Sequence, residues 1–245
     1  MKVVAQGSVR GSSAPGKLNC RNLLLAVLLG LGGCMPQGVP DDPVSRRVGW
    51  FGVLGGDDIR AGCAPGAPER YRLVYNAIYG EQVRVYDLAI GADGRGALDS
   101  VVLPGGVALG FATFDDVARM WGGTRDRRIL STAEAAALRT EIGASDIAAP
   151  APAGLSLRSD TFYWAVSACV DGRFHFNAYD HPTPRFAALR FPPALFRLDP
   201  TGVPVNPPRA LDLGPFQPNA RFDSGVRAGT GPRFEVQVGR DGLVR

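Results

Sequence analysis

Three short apolar segments separated by turn residues, between positions 70 and 103, constrain the fold of this chain more than any other feature. The segments are Tyr71–Ile78, Val83–Ile90 and Ala97–Leu103. Asp93-Gly94 separates the second from the third, and Asp-Gly is a strong hairpin signal because both positions tolerate a positive φ. Gly80-Glu81 provides the turn between the first two segments. The pattern predicts a three-stranded antiparallel meander over residues 70–103.

Further strand signals occur later in the chain. Thr161–Val170 and Arg173–Tyr179 flank Asp171-Gly172, which predicts a second β-hairpin. Phe234–Val238 alternates apolar and polar residues, as a half-buried strand does. The chain also contains 32 glycines and 20 prolines, which favour turns over long helices.

Two short helices and two ambiguous apolar segments complete the pattern. Residues 113–121 and 131–143 each begin with a capping-box sequence and carry one narrow apolar stripe, so each helix is expected to lie on a sheet. We expect Gly143 to cap the second helix. Trp50–Leu54 is expected to be an edge strand or a segment that packs across the domain. Phe186–Leu198 contains Pro192-Pro193 and is expected to be an edge strand or irregular cover.

These elements together predict an α+β fold. We expect a mainly antiparallel β sandwich or a partly closed barrel with two short covering helices. Residues 49–245 are expected to form a single β-rich globular domain, a length that can bury a substantial core.

The first 33 residues have the pattern of a secretory signal peptide. Leu23–Leu31 forms a short apolar core, and the residues before it include basic side chains but no acidic ones; the basic residues are Lys2, Arg10, Lys17 and Arg21. The apolar run is shorter than the roughly 20 residues that a membrane-spanning helix needs. The alternative is a buried apolar helix in a cytoplasmic protein.

The end of this leader, Leu31-Gly32-Gly33-Cys34, resembles the lipobox of bacterial lipoproteins. The resemblance covers only the leader. It implies that Cys34 becomes the first residue of the mature chain and carries acyl chains on its thiol and amino terminus. Because Met35, rather than Asp, follows the cysteine, the resemblance implies lipid anchoring to the outer membrane. Residues 34–48 are rich in proline and lack periodicity, which predicts a flexible tether.

The charge of the mature chain gives no reason to expect nucleic acid as a partner. The whole sequence has 27 basic and 23 acidic residues, but four of the basic ones lie in the leader. Removing those four leaves equal numbers of positive and negative side chains. A basic surface for polyanions is therefore not expected.

Cys63 and Cys169 are the two cysteines that remain after Cys34. In an oxidising compartment an even pair most simply forms one disulfide. Two buried free thiols are the alternative.

Candidate catalytic residues cluster around the second hairpin, but no recognised motif groups them. His175, Asp180 and His181 could bind a metal ion, and Ser159 or Ser167 could act as a nucleophile with His175 and Asp180. The spacing matches no known metal site, and no Gly-x-Ser-x-Gly sequence is present. A strand histidine and a turn histidine without catalytic roles are the simpler interpretation. No metal site and no cofactor are predicted.

Four residues are candidate ligand contacts. Arg221 and Arg227 flank the glycine-rich stretch 225–231, which matches no phosphate-binding motif. His175 and Tyr179 lie in the aromatic second hairpin, where outward side chains could line a groove, although core packing is commoner.

The sequence favours a lipid-anchored cell-envelope lipoprotein whose domain faces the periplasm. We expect a non-catalytic binding or assembly module for an envelope protein or a small ligand. The alternative is a periplasmic hydrolase or metal-dependent enzyme that uses His175 or His181.

Overall fold

The computed structural model describes residues 49–105, 123–213 and 233–244. The chain begins there with two six-residue helices, α1 (Trp50–Gly55) and α2 (Asp57–Gly62), joined by Gly56. The large sheet contains β1 (Arg70–Ala77), β2 (Gln82–Ile90), β3 (Gly96–Pro104), β4 (Thr124–Leu130), β6 (Phe162–Val170) and β7 (Arg173–Asp180). The remaining elements are α3 (Thr132–Gly143), β5 (Ser156–Arg158), α4 (Pro184–Ala187), α5 (Phe191–Leu198) and β8 (Glu235–Gln237).

The six strands form an antiparallel sheet in the order β4-β3-β2-β1-β6-β7. The predicted meander is confirmed as β1 to β3, and the predicted second hairpin is confirmed as β6 and β7. At the tip of the second hairpin, Asp171 and Gly172 have φ values of 51° and 71°. Two consecutive positive φ angles belong to the tight turn whose twist matches that of paired strands.

Both faces of the large sheet are covered, which makes the fold an α+β, mainly β sandwich. The α1 face packs against α1 and against the small sheet of β5 and β8; its core includes Trp50, Val74, Val85, Leu157 and Tyr163. The α3 face packs against α3 and α5; its core includes Leu73, Leu88, Leu138, Trp164 and Phe191. Strands β1, β2 and β6 are therefore buried along almost their whole length.

The strands that the structure describes do not close into a barrel. β4 and β7 are the two edges of the large sheet, and they lie at opposite ends of the strand order. The predicted α+β fold is confirmed, and of its two alternatives the sandwich is the observed one.

The prediction of two covering helices holds for residues 131–143. Ser131 and Glu134 form the expected capping box, with each side chain bonded to the other's backbone N–H. The helix cap is Ala144 rather than Gly143, which is the last helical residue. The predicted helix at 113–121 lies outside the described residues.

The two ambiguous apolar segments are helical, so their interpretation as edge strands was wrong. Trp50–Leu54 belongs to α1, which packs across the sheet as the second alternative proposed. Residues 186–198 belong mainly to α4 and α5. Pro192-Pro193 suggested an interrupted strand, but both prolines lie in the first turn of α5. Proline is well suited to that position because the first helical N–H groups have no intrahelical partner.

The disulfide between Cys63 and Cys169 is present, with its Cα atoms 5.6 Å apart. It joins Cys63, the residue directly after α2, to Cys169 of β6 across 106 positions of sequence. The alternative of two free thiols is wrong. A cross-link over a loop of this length removes much of the conformational freedom of the unfolded chain.

A buried arginine fastens the segment after α5 to the α3 face. Arg84 is 0% exposed and forms an ion pair of 2.5 Å with Asp199. Its Nε donates to Gln82 at 2.9 Å, and its Nη2 donates to the carbonyls of Val203 and Pro204 at 2.6 and 2.8 Å. These bonds compensate for the desolvation of the guanidinium.

Residues 199–213, which we call the strap, have no regular helix or strand but are held by several further side chains. Tyr75 donates to the carbonyl of Asn206 at 2.9 Å. Arg209 binds both carboxylate oxygens of Glu81 at 2.7 and 2.8 Å. The strap is thus an integral part of the cover of the α3 face.

Substitution of Gly56 tests how closely α1 and α2 approach the sheet. Its φ is 67°, and a Cβ built there would lie 2.3 Å from the Cβ of Ser167. We expect Gly56→Ala to lower the free energy of unfolding by about 2–4 kcal/mol, because it adds overpacking to left-handed strain. Equilibrium urea unfolding of the oxidised full-length chain measures this effect.

Gly62→Ala is the matched control for that substitution. Gly62 is the last residue of α2, and no atom lies within 4 Å of the Cβ that a substitution would add. We expect this variant to stay within about 1 kcal/mol of the parent. Equal effects of the two substitutions would contradict the close contact between Gly56 and Ser167.

Candidate functional site

A buried arginine on the α1 face binds α2 to the sheet. Arg72 is 2% exposed, and its Nη1 and Nη2 donate to the two carboxylate oxygens of Asp58 at 2.6 and 3.0 Å. Its Nη2 also donates to Asp87, the residue directly opposite on β2, at 2.5 Å. The guanidinium thus joins a carboxylate of α2 to a carboxylate of the sheet.

The ionised state of this cluster follows from its charges. Partial burial alone would raise the pKa of Asp58, but the charge and hydrogen bonds of Arg72 and the charge of Arg70 outweigh burial and lower that pKa. Burial likewise opposes the charged form of Arg72, while Asp87 and Asp58 raise its pKa. Both groups therefore remain charged at neutral pH.

Charged residues also lie opposite one another on the next strands of the sheet, and together with Arg72 and Asp87 they form a charged row. Asp87 lies opposite Asp99 of β3, and Asp99 lies opposite Arg127 of β4. Asp99 is within 3.5 Å of Arg125 and 3.9 Å of Arg127. Two carboxylates that face each other across strands would be destabilising without such cations. These acids therefore neutralise arginines and are poor candidates for a general acid or base.

Three separate contacts fix the short helix α2. Gly56 before it packs on Ser167, Asp58 within it pairs with Arg72, and Cys63 after it is bonded to Cys169. A six-residue helix has little stability by itself. Its orientation is therefore set by these contacts, which also fix the directions of its other side chains.

The side of α2 that carries Asp57 and Arg60 lines a cleft of about 360 Å³. Gly55, Asp57 and Arg60 form one wall, and the turn Gly239–Leu243 forms the other; we call this the α2 cleft. The guanidinium carbon of Arg60 lies 4.1 Å from the ring centre of Phe174, and Nη2 of Arg60 donates to the carbonyl of Asp241. These contacts join Arg60 to β7 and to the facing turn.

Gly242 permits the approach of Arg60 to the facing turn. A Cβ at this glycine would lie 2.7 Å from Nη2 of Arg60. The two walls are therefore in direct contact at this point, and the residues that line the cleft include both charge signs: Asp57 and Arg60 on α2, Arg240 and Asp241 on the turn. The residues lining the cleft include no serine, cysteine or histidine. The lining is polar, and it offers no nucleophile paired with a histidine base.

The serine-based catalytic arrangement considered from sequence is wrong because the sheet separates its members. Ser167 lies opposite Phe176 on the α1 face, whereas His175 lies opposite Ala168 on the α3 face. Asp180 lies opposite Tyr163 and therefore points to the α1 face, away from His175. A nucleophile, its base and the orienting acid must be within hydrogen-bond reach of one another.

Ser159, the other candidate nucleophile, has a structural role. Its Oγ accepts the backbone N–H of Phe234 at 3.0 Å, which joins the segment before β6 to the segment before β8. The side chain is buried.

The histidines do not form a metal site. The ring of His181 packs against Phe162 and Phe186, with ring centres 6.0 and 5.2 Å apart. His175 is six positions earlier, a separation of about 20 Å along an extended strand. Among residues 49–105, 123–213 and 233–244, no three His, Cys, Asp or Glu side chains are grouped to hold a metal ion.

Tyr179 fastens a loop instead of lining a groove. It is 2% exposed, and its hydroxyl donates to the carbonyl of Ser145 at 2.8 Å. Burial raises the pKa of Tyr179, and the charge of Arg185, which lies over its ring, only partly opposes this. His175 lies on the same face and is partly buried. The structure brings neither residue to the α2 cleft.

Arg221 and Arg227, the other predicted ligand contacts, lie outside the described residues. The sequence did not predict the α2 cleft, because each of its two groups of residues indicates only a turn. Gly55-Gly56-Asp57 marked the end of an apolar run, and Arg240-Asp241-Gly242 marked a turn after a strand. No local pattern indicates that two turns about 180 positions apart meet.

No helix within the described ranges is long and apolar enough to cross a membrane.

The contact between Asp58 and Arg72 predicts a pH-dependent stability. Because the pKa of Asp58 is lower in the folded than in the unfolded chain, its carboxylate stabilises the fold above about pH 4, and this contribution disappears as the pH falls through the lowered pKa. We expect Asp58→Asn to lower the free energy of unfolding at pH 7 by about 1 kcal/mol, a value reduced by the exposure of the carboxylate.

Urea unfolding of parent and variant at pH 7 and pH 3 measures this difference. The difference in the free energy of unfolding between parent and variant should be smaller at pH 3 than at pH 7. Asp212→Asn is the control, because Asp212 is exposed and lies in the strap, away from α2. A constant difference between parent and Asp58→Asn at both pH values would contradict the ion pair with Arg72.

No family model, no curated protein and no solved structure matches the chain.

Proposed function

We propose that this protein is a lipid-anchored lipoprotein of the outer membrane, with a periplasmic domain that binds a partner or ligand without catalysis. Three features support the proposal. The leader ends in a lipobox-like sequence at Cys34. The Cys63–Cys169 disulfide is compatible with an oxidising compartment. The α2 cleft offers a polar binding site on a firmly held helix.

The α2 cleft is the observation that carries the binding function. Its charged side chains are presented by α2, which is fixed by a disulfide, by an ion pair and by packing on the sheet. Groups held in place before binding lose less entropy when a ligand arrives. The fixed position of α2 therefore favours recognition.

A binding function is better supported than the hydrolase or metal-dependent alternative that uses His175 or His181. In the described residues neither histidine belongs to a group of three possible metal ligands, and Ser167 lies on the opposite face of the sheet from His175. The carboxylates of the charged row are paired with arginines. The described chemistry therefore supports recognition of polar groups more than bond cleavage.

Metabolic labelling with radioactive palmitate tests the anchor in the expressing bacterium. The parent should incorporate the label and sediment with membranes. Cys34→Ala should lose the label and leave the membrane fraction, because it removes the thiol that accepts the acyl chains. Cys20→Ala is the control within the same leader and should behave as the parent. Membrane retention of Cys34→Ala without label would contradict lipid anchoring.

Affinity purification from membranes solubilised in mild detergent tests whether a partner uses the α2 cleft. Arg240→Glu should abolish co-purification of a protein that the parent retains, because it reverses one charge at the cleft. Arg95→Glu reverses an exposed charge on the hairpin between β2 and β3 and should leave co-purification unchanged. Identical results for the two variants would contradict recognition of a protein partner through the cleft.

A further inference from the structure

We infer that β4 pairs with β4 of a second copy of this chain, so that the large sheets of the two copies join edge to edge in a symmetric dimer. No residue of β4 lines the α2 cleft, so the dimer surface is separate from the proposed binding site. The two edges of the large sheet differ in a way that favours pairing at β4 and opposes it at β7.

The edge formed by β7 is covered. Residues 176–179 are buried. The backbone N–H of Ala178 donates to Oδ1 of Asn177 at 3.0 Å, and the carbonyl of Ala178 accepts a bond from Arg185 at 3.5 Å. Side chains thus occupy the backbone groups that a further strand would need at this position. Proteins block edge strands in this way against pairing with other chains.

The edge formed by β4 is exposed to solvent. Five of its seven residues are exposed. Asp126 lies on the α3 face and Arg127 on the α1 face, and both are exposed, so no described element covers either face of β4 at these positions. Ile129, on the α1 face, is 53% exposed. A strand exposed on both faces and at its edge is a template for pairing.

The backbone of β4 has hydrogen-bonding groups directed away from β3. The N–H of Arg127 donates to the side chain of Asp126 at 2.7 Å instead of to β3. Along an antiparallel strand, alternate residues direct their N–H and C=O groups to the same side. Arg125 and Ile129 therefore direct theirs to the outer edge as well. A second antiparallel strand can pair at these three positions.

The charges of β4 are complementary to those of a second copy in one register. When the Arg127 residues of the two copies lie opposite each other, Asp126 of each copy lies opposite Arg128 of the other. Residues directly opposite in an antiparallel pair share a face, so two cross-strand pairs of opposite charge form on the α3 face. Ile129 of each copy then lies opposite Arg125, whose aliphatic stem can cover it.

The neighbouring registers are less favourable. A shift of two residues in one direction would place Asp126 opposite Asp126 of the second copy, and a shift in the other direction would place Arg128 opposite Arg128. Like charges directly opposite on two strands are destabilising. The charges therefore select the register that is centred on Arg127.

Contacts within each copy are compatible with this register. Each Arg127 has Asp99 of its own sheet within 3.9 Å, which offsets the repulsion between the two central arginines. Arg128 binds Glu134 through Nη2 at 2.7 Å, and a guanidinium carries five N–H donors, so it can bind Asp126 of the second copy as well. In the dimer, the N–H of Arg127 donates to the second copy's backbone and releases the carboxylate of Asp126.

A cysteine at the centre of the pairing tests the register. The Cα atoms of the two Arg127 residues should be about 5.5 Å apart, which a disulfide can span. Arg127→Cys of the full-length protein in mild detergent should therefore give a disulfide-linked dimer on non-reducing gels after gentle oxidation. The parent chain is the control for cross-linking through its own cysteines and should remain monomeric on these gels.

Arg125→Cys is the matched control for position. Arg125 of one copy and Arg125 of the other should be separated by four residues, about 13 Å, along the strand direction. This variant should therefore give less than about a tenth of the cross-linked product, because such a distance exceeds the reach of a disulfide.

Charge reversal tests the two cross-strand ion pairs by sedimentation equilibrium in density-matched detergent. Asp126→Arg and Arg128→Asp should each raise the Kd of the dimer about tenfold, because each replaces two attractions with two repulsions. An equal mixture of the two variants should dimerise as the parent does, because one variant then carries both positive partners and the other both negative partners.

Asp212→Arg and Arg95→Asp are the matched controls for charge. Each makes the same reversal at an exposed residue outside β4 and should leave the Kd of the dimer unchanged. Thermal unfolding verifies that each variant is folded before its sedimentation is compared with that of the parent.

Three outcomes would overturn the inference. They are a parent chain that sediments as a monomer at about 100 µM, equal cross-linking of Arg125→Cys and Arg127→Cys, and a mixture of the two charge variants that dimerises no better than either variant alone. None of these outcomes affects the α2 cleft, so the proposed binding function is tested separately by Arg240→Glu.

Discussion

Two buried arginines on neighbouring central strands each bind one segment that covers the large sheet. Arg72 on β1 points to the α1 face, and Arg84 on β2 points to the α3 face. Each binds a carboxylate from a covering segment: Asp58 from α2 and Asp199 from the start of the strap. A guanidinium buried without such partners would be strongly destabilising. The sheet therefore specifies the position of its cover through charge as well as through apolar packing, and it does so once on each face.

The two arginine anchors differ in the groups that they bind. The strap lies flat on the α3 face, where Arg84 binds carbonyls of the strap as well as the carboxylate of Asp199. On the α1 face, Arg72 binds the side chains of Asp58 on α2 and Asp87 on β2. Residues of α2 also line the cleft whose other wall is the turn Gly239–Leu243. The helix is thus joined to the sheet through Asp58 and Arg72 and to the turn through Arg60, whose Nη2 donates to the carbonyl of Asp241.

The strands could be predicted from sequence because their signals are local. Alternation and the Asp-Gly turns specified β1 to β3 and the hairpin of β6 and β7, and the cysteine pair indicated the disulfide. Pro192-Pro193 was misleading, since proline both interrupts strands and begins helices. The α2 cleft could not be predicted, because Arg60 and Asp241 are far apart in the sequence and come into contact only in the folded domain. Ser167 and His175 show the converse: they are near in sequence, but strand register assigns them to opposite faces.

The contacts of α2 with β6 also determine when the first part of the domain can be completed. Ser167 and Cys169, which receive Gly56 and Cys63, follow them by more than 100 positions in the chain. Strand β1 likewise needs β6 as its second neighbour. Contacts between distant parts of a chain form slowly because a long loop must close first. The segment that precedes β1 therefore reaches its final position late, and the disulfide between Cys63 and Cys169 can form only when this segment lies against β6.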